Sequence, residues 1–279
     1  MRVSKAGRRA LAAVLAGVIA VGSLFASSAA SAAPALPARM AALGDSISQA
    51  AMTCSALLSC PANSWSTGTT TSVVSHAARL RAAGATSLVA YNDAVSSSLS
   101  SALATQASRA VSQGAQYVTI EIGANDACTK TVAGMTSVAT FTANVQAGLS
   151  TLAAGANQPE IFVASIPNLL RMYELNKGSF TARLTWASLG ICQSLLANPS
   201  STNAADVNRR NAVQQRVNEF NAALAAVCAA TAKCRFDNYA VANYAFTKAD
   251  ISTRDYFHPS ITGQARLAAI TWPTTQWAS

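Results

Sequence analysis

The chain has 279 residues, of which 51% are hydrophobic and 11% charged, with 20 Lys and Arg against 11 Asp and Glu, six cysteines and two histidines. It is too apolar and too sparsely charged for a disordered chain, and two histidines cannot build a three-histidine zinc site. The formal charge of +9 raises an acidic partner, nucleic acid or a membrane surface, and the placement of the charges decides between them.

Arg2, Lys5, Arg8 and Arg9 precede an apolar run from about Ala10 to Phe25 and a small-residue stretch containing Ala30-Ser31-Ala32. This is the pattern of a secretory signal peptide over residues 1–32, cut between Ala32 and Ala33. The run is shorter than the ~20 residues that span a bilayer, and Arg8-Arg9 leaves both general and twin-arginine export open. Without residues 1–32 the chain keeps 16 Lys and Arg against 11 Asp and Glu, a net charge of +5. The remaining cations are scattered apart from Arg209-Arg210, and no basic stripe interleaved with aromatics appears, so no nucleic-acid partner is expected.

Export makes the six cysteines a question of disulfides. Fifteen connectivities exist. The set Cys54–Cys60, Cys128–Cys192 and Cys228–Cys234, with two short loops and one long, is favoured among them. No Cys-x-x-Cys and no histidine beside a cysteine pair points to zinc.

In chain order, Arg39 to Leu43 reads as a first strand ending at Gly44-Asp45. Thr71 to Ala83 has helical spacing through Val73, Val74, Ala77 and Leu80, with Gly84 as a stop. Ser87 to Tyr91 reads as a strand and Leu99 to Gln113 as a helix. Tyr117 to Ile122 is a β-branched strand stopped by Gly123. Thr136 to Ala153 is helical, Ile161 to Ile166 a strand, Ala204 to Ala232 a long helix and Ile261 to Ile270 a closing one. Strands that are continuous apolar runs alternating with helices predict a parallel sheet covered on both faces. No linker or repeat divides residues 33–279, so one domain is expected. Sites in such sheets lie beyond the carboxyl ends of strands, where Gly44-Asp45-Ser46, Asn92-Asp93-Ala94, Gly123-Ala124-Asn125-Asp126 and Pro167-Asn168 fall.

Ser46 stands where the first strand should turn into following structure, and a serine hydroxyl becomes a nucleophile only when a base takes its proton. His76 lies within a helical pattern and reads as a packed or surface histidine. His258 lies in Asp255-Tyr256-Phe257-His258-Pro259, where one turn of chain brings the Asp255 carboxylate to the imidazole. Pro259 biases His258 away from helix. Asn125 follows a buried strand, and its amide together with the Ser46 backbone N–H can donate to a developing oxyanion.

Gly44-Asp45-Ser46, with Ile47 where leucine is usual, Gly123-Ala124-Asn125-Asp126, and Asp255 with His258 resemble, in order and spread, the blocks of the SGNH (GDSL) hydrolase superfamily. Cys128, Ser165-Ile166-Pro167-Asn168 and Gly263-Gln264 are similar to secreted actinobacterial members. One block departs, since Ser97 stands where the family has an oxyanion-hole glycine.

The resemblance implies a flavodoxin-like five-stranded parallel sheet of order 2-1-3-4-5 between helical layers. It further implies cofactor-free and metal-free ester hydrolysis with Ser46, His258 and Asp255 as triad and Ser46, Ser97 and Asn125 around the oxyanion. Residues 54–65 and 169–186 are expected to shape the acyl pocket. The favoured reading is a secreted, monomeric lipase or esterase acting on acyl esters, with transient contact to a lipid surface. Carbohydrate or aryl esterases and phospholipases use the same site, and a non-catalytic binding protein on this fold is the remote alternative.

Overall fold

In this computed structural model residues 33–278 are described, and the expected signal peptide lies outside them. Five parallel strands form one sheet: β1 (Arg39–Gly44), β2 (Val89–Asn92), β3 (Tyr117–Glu121), β4 (Glu160–Val163) and β5 (Cys234–Phe236), in the order β2-β1-β3-β4-β5. Met40 pairs with Tyr117 and Gly44 with Glu121, while Ile120 pairs with Val163. The carboxyl ends of the three central strands therefore share one edge of the molecule.

Helices α1 (His76–Ala82), α2 (Leu103–Ser112), α3 (Ala124–Ala127), α4 (Val138–Ala154), α5 (Leu169–Asn176), α6 (Phe180–Leu189), α7 (Gln193–Leu196), α8 (Ala204–Ala229), α9 (Ala240–Asn243) and α10 (Ile261–Thr271) make the connections. Side chains alternate along the strands between two cores. Ala41, Val118, Ile120, Ile161 and Val163 meet α2, α4 and α8, including Leu149 and Phe220. Met40, Tyr117 and Phe162 point the other way, against Leu80 of α1 and Leu267 of α10. Burial on both faces is why the strand sequences read as continuous apolar runs.

Side chains of Ser75, Ser137, Asn168, Ser179, Asn203 and Ser260 each accept an amide N–H in the first turn of α1, α4, α5, α6, α8 and α10. Such a cap stabilises a helix by about 1 kcal/mol. The Ser75 cap also corrects the expected helix from Thr71. Helix begins only at His76, and Val74, assigned to the apolar face, is exposed. The fifth strand, three residues long, has no counterpart in the sequence pattern. Nor do α5, α6 and α7, which form the wall beyond β4.

The cysteines are joined as Cys54–Cys60, Cys128–Cys192 and Cys228–Cys234. Cys128–Cys192 ties the turn after β3 to α7 across 64 residues, whereas the other two close six-residue separations. Chain entropy assigns the long loop about 4 kcal/mol and each short one about 2 kcal/mol. Thermal melting of the paired serine variants is thus expected to show the largest loss for Cys128→Ser/Cys192→Ser; a larger loss for Cys54→Ser/Cys60→Ser would contradict that order.

Candidate active site

The site is built on two turns at neighbouring strand ends. At Gly44 the chain leaves β1 with φ +129°, and a Cβ there would lie 1.9 Å from the Glu121 carbonyl oxygen. Glycine is therefore required both by conformation and by space. Gln106 of α2 clamps this residue from the other side, accepting the Gly44 N–H at 2.8 Å and donating to its carbonyl at 2.9 Å. Asp45, fully buried, accepts the Ile47 N–H at 2.9 Å and so folds the turn that presents Ser46. At Gly123, φ is +120° and a Cβ would meet Ile166 at 2.6 Å and Phe141 at 2.8 Å, which lets α3 start directly after β3.

His258 is delivered from the other end of the chain. The Asp255 carboxylate is buried, and its Oδ1 accepts the backbone N–H of Phe257 and of His258, each at 3.1 Å. Tyr256 takes a left-handed conformation (φ +57°) inside this turn. An antiparallel bridge of Ile251 with Pro259 and the bond from the Ser252 N–H to the His258 carbonyl at 2.8 Å close the loop. His258 Nδ1 contacts Asp255 Oδ2, and Nε2 lies 2.8 Å from Ser46 Oγ. With Nδ1–H donating to the carboxylate, Nε2 is left as acceptor for the Ser46 hydroxyl. Burial disfavours a charged His258, but the Asp255 hydrogen bond and charge, with Asp45 adding to them, outweigh it and raise its pKa above 6.5.

Ser97 lines the same cleft in a left-handed conformation, φ +65°. Serine here holds the backbone shape a glycine would take without strain. The N–H groups of Ser46 and Ser97 have no acceptor among the described residues. Asn125 also lines the cleft, but its Nδ2 already donates to the Ser98 carbonyl at 3.0 Å and to Asp45 Oδ2 at 3.3 Å. His76 is apart from the site, buried between Tyr117 OH and Thr271 Oγ1 at 2.8 Å each. Burial, with Arg79 nearby, lowers its pKa to about 3, so it is a neutral core histidine.

The cleft has a volume of about 500 Å³, and its apolar wall includes Leu99, Leu169, Met172, Ile191 and the Cys128–Cys192 disulfide. This corrects the expected pocket. Residues 54–65 do not line the cleft, and within 169–186 only Leu169 and Met172 do, with Trp186 buried in the core. Residues 190–192 take their place because the disulfide draws that segment to the turn after β3.

Several further residues support the site. Gln264 donates to the Ile47 carbonyl and accepts the Trp65 N–H, each at 2.9 Å. Asp126 accepts the Ser100 N–H at 2.8 Å and its hydroxyl at 2.7 Å, holding the loop that carries Ser97. Glu121 lies under the turn with both carboxyl oxygens buried and undonated. Burial foremost, then the charges of Asp45 and Asp237, hold its pKa well above the usual carboxylate range. Burial likewise pushes Asp45 up to about 6.

The profile of the GDSL-like lipase/acylhydrolase family matches residues 40–270. No curated protein sequence matches significantly. The fold is similar to the crystal structure of TesA, at 18% identity and TM-score 0.53, covering 85% of this chain and 97% of that one. It is also similar to the extracellular lipase of Streptomyces rimosus, at 18% identity and TM-score 0.49, covering 85% and 99%. The psychrotrophic esterase EstA from Pseudoalteromonas sp. aligns at 16% identity and TM-score 0.48, covering 85% and 96%. With a profile match running from β1 into α10 over the expected sheet order, the chain belongs to the GDSL-like lipase/acylhydrolase family and is a carboxylic ester hydrolase.

Proposed function

We propose that the protein is an exported lipase or esterase that cleaves fatty-acyl esters through an acyl-enzyme on Ser46. The carrying observation is the line from Ser46 Oγ to His258 Nε2 at 2.8 Å, with Asp255 behind the ring, opening on an apolar cleft. His258 takes the Ser46 proton as Oγ attacks the acyl carbon, and Asp255 stabilises the imidazolium. The N–H groups of Ser46 and Ser97 receive the oxyanion. Asn125 joins them by giving up its longer bond, to Asp45. His258 then protonates the leaving alcohol and activates water to release the acid.

The acyl chain lies against Leu99, Leu169, Met172 and Ile191, which present hydrocarbon and no charge. Phe180 and Leu184 of α6 are 72% and 56% exposed. A lipid surface is a fitting source of substrate for a protein that exposes such apolar side chains. The signal-peptide pattern and three disulfides support export.

Assays over acyl esters of increasing chain length, a phospholipid and an acetylated polysaccharide are expected to give highest kcat/KM on fatty-acyl esters. Ser46→Ala should lower kcat at least about a thousandfold. Since only neutral His258 acts as base and its pKa is raised, kcat/KM should fall on the acid side with a midpoint above 6.5. Preference for the acetylated polymer, or a rate independent of pH down to 5, would contradict the reading. Ser97→Gly keeps the N–H and relieves the left-handed conformation. It is expected to retain kcat within about threefold and to gain up to about 1 kcal/mol in stability; a loss of kcat beyond tenfold would place the Ser97 side chain in the reaction.

A further inference from the structure

On the side of α5 turned away from the cleft lies a second cavity of about 430 Å³, between α5, the start of α6 and the segment leading into α8. Its lining holds three cations, Lys177, Arg183 and Arg210, against one acid, Glu174. Two of the cations converge on one ring: the Lys177 ammonium lies 5.4 Å and the Arg210 guanidinium 4.8 Å from the centre of Tyr173. The Tyr173 hydroxyl is fixed by donating to the Pro199 carbonyl at 2.8 Å.

Arg210 is only 4% exposed. Its two hydrogen bonds run to the carbonyls of Ser201 at 2.7 Å and Asn198 at 3.5 Å, neutral acceptors both. Among the described residues none of the three cations has a carboxylate within ion-pair distance. Asp206, one turn before Arg210 on α8, is instead engaged by Arg209 at 3.0 Å. A guanidinium this buried is costly unless a negative charge compensates it. An apolar side chain would pack against Tyr173 at less cost, so packing alone does not account for an arginine here. Ser200, Ser201 and Thr202 add hydroxyl groups to the same cavity wall. Arginine's planar fork and lysine's point charge together suit a tetrahedral oxyanion, and the volume leaves room for an organic substituent on it.

We infer that this cavity binds a phosphate group, carried by a soluble phosphate ester or by a lipid headgroup, at a site separate from the ester-cleaving cleft. Lys177 and Arg183 close on the phosphate from the exposed side, and Arg210 supplies the fixed charge beneath it. Phe180 and Leu184, which flank Arg183 in sequence and are exposed, would lie toward the acyl chains when the phosphate belongs to a lipid.

Calorimetric titration of the purified protein with inorganic phosphate and with glycerol 3-phosphate at low ionic strength tests the site. Saturable one-site binding is expected. The Kd should rise at least tenfold in Lys177→Gln/Arg183→Gln, positions outside the cleft lining whose replacement should leave hydrolysis of a soluble short-chain ester unchanged. It should stay within twofold in Lys130→Gln/Lys233→Gln, which removes the same charge elsewhere. A second arm uses Ser46→Ala protein with phosphatidylglycerol vesicles, so that the outcome does not depend on ester cleavage. Vesicle binding released by free glycerol 3-phosphate would assign the site to a headgroup, and binding of the free ester without vesicle binding would assign it to a soluble phosphate. No saturable phosphate binding, or an equal loss in both charge-removal variants, would overturn the proposal.

Discussion

The Glu121 carbonyl leaves no space for a side chain at position 44, and the rest of the site depends on that close approach. β1 and β3 are paired up to Gly44 and Glu121, so two strands end side by side and each must turn at once. One turn yields Ser46, the other Asn125 and Asp126. Gln106 fixes the first turn and Asp126 holds the second to the Ser97 loop. The proposed nucleophile and oxyanion donors therefore have positions set by sheet register rather than by flexible loops, as preorganised electrostatic stabilisation requires.

Beneath these turns lies an unusual concentration of buried acids. Asp45, Glu121, Asp126 and Asp255 are all at most 1% exposed. Asp126 and Asp255 are satisfied by backbone N–H groups. Glu121 has no donor, and burial with the charges of Asp45 and Asp237 raises its pKa, which disfavours a further negative charge next to Asp45. The charge that does reach the imidazole comes from Asp255 in contact and Asp45 nearby. Electrostatics and geometry thus act on the same imidazole, with Asp255 at Nδ1 and Ser46 at Nε2.

What the sequence made legible follows the same division. Gly44-Asp45-Ser46, Gly123 to Asp126 and Asp255 to His258 are contiguous because each is one turn, and turns are written in short runs of residues. Their meeting place is fixed by strand order, which the family resemblance supplied, while the alternating pattern indicated a parallel sheet covered on both faces. The cleft wall was not legible, because α5 to α7 are short helices and their path is set by the Cys128–Cys192 link rather than by periodicity. Residues 54–65 were expected to shape the pocket, yet Trp65 fills the core between α1 and the sheet. β5 escaped notice since three residues, one of them the exposed Arg235, carry no strand period. Gln106 sits in a helix, where a single polar residue facing inward is indistinguishable from one facing water.

The central claim is that Ser46 is a nucleophile made reactive by His258. Its most direct test is labelling with a fluorophosphonate ester, with the modified peptide identified by mass spectrometry and the labelling rate compared between wild type and His258→Ala. A single adduct on Ser46, formed at least a hundredfold more slowly in the variant, is the result predicted. An adduct on another residue, or an unchanged rate without His258, would contradict the account.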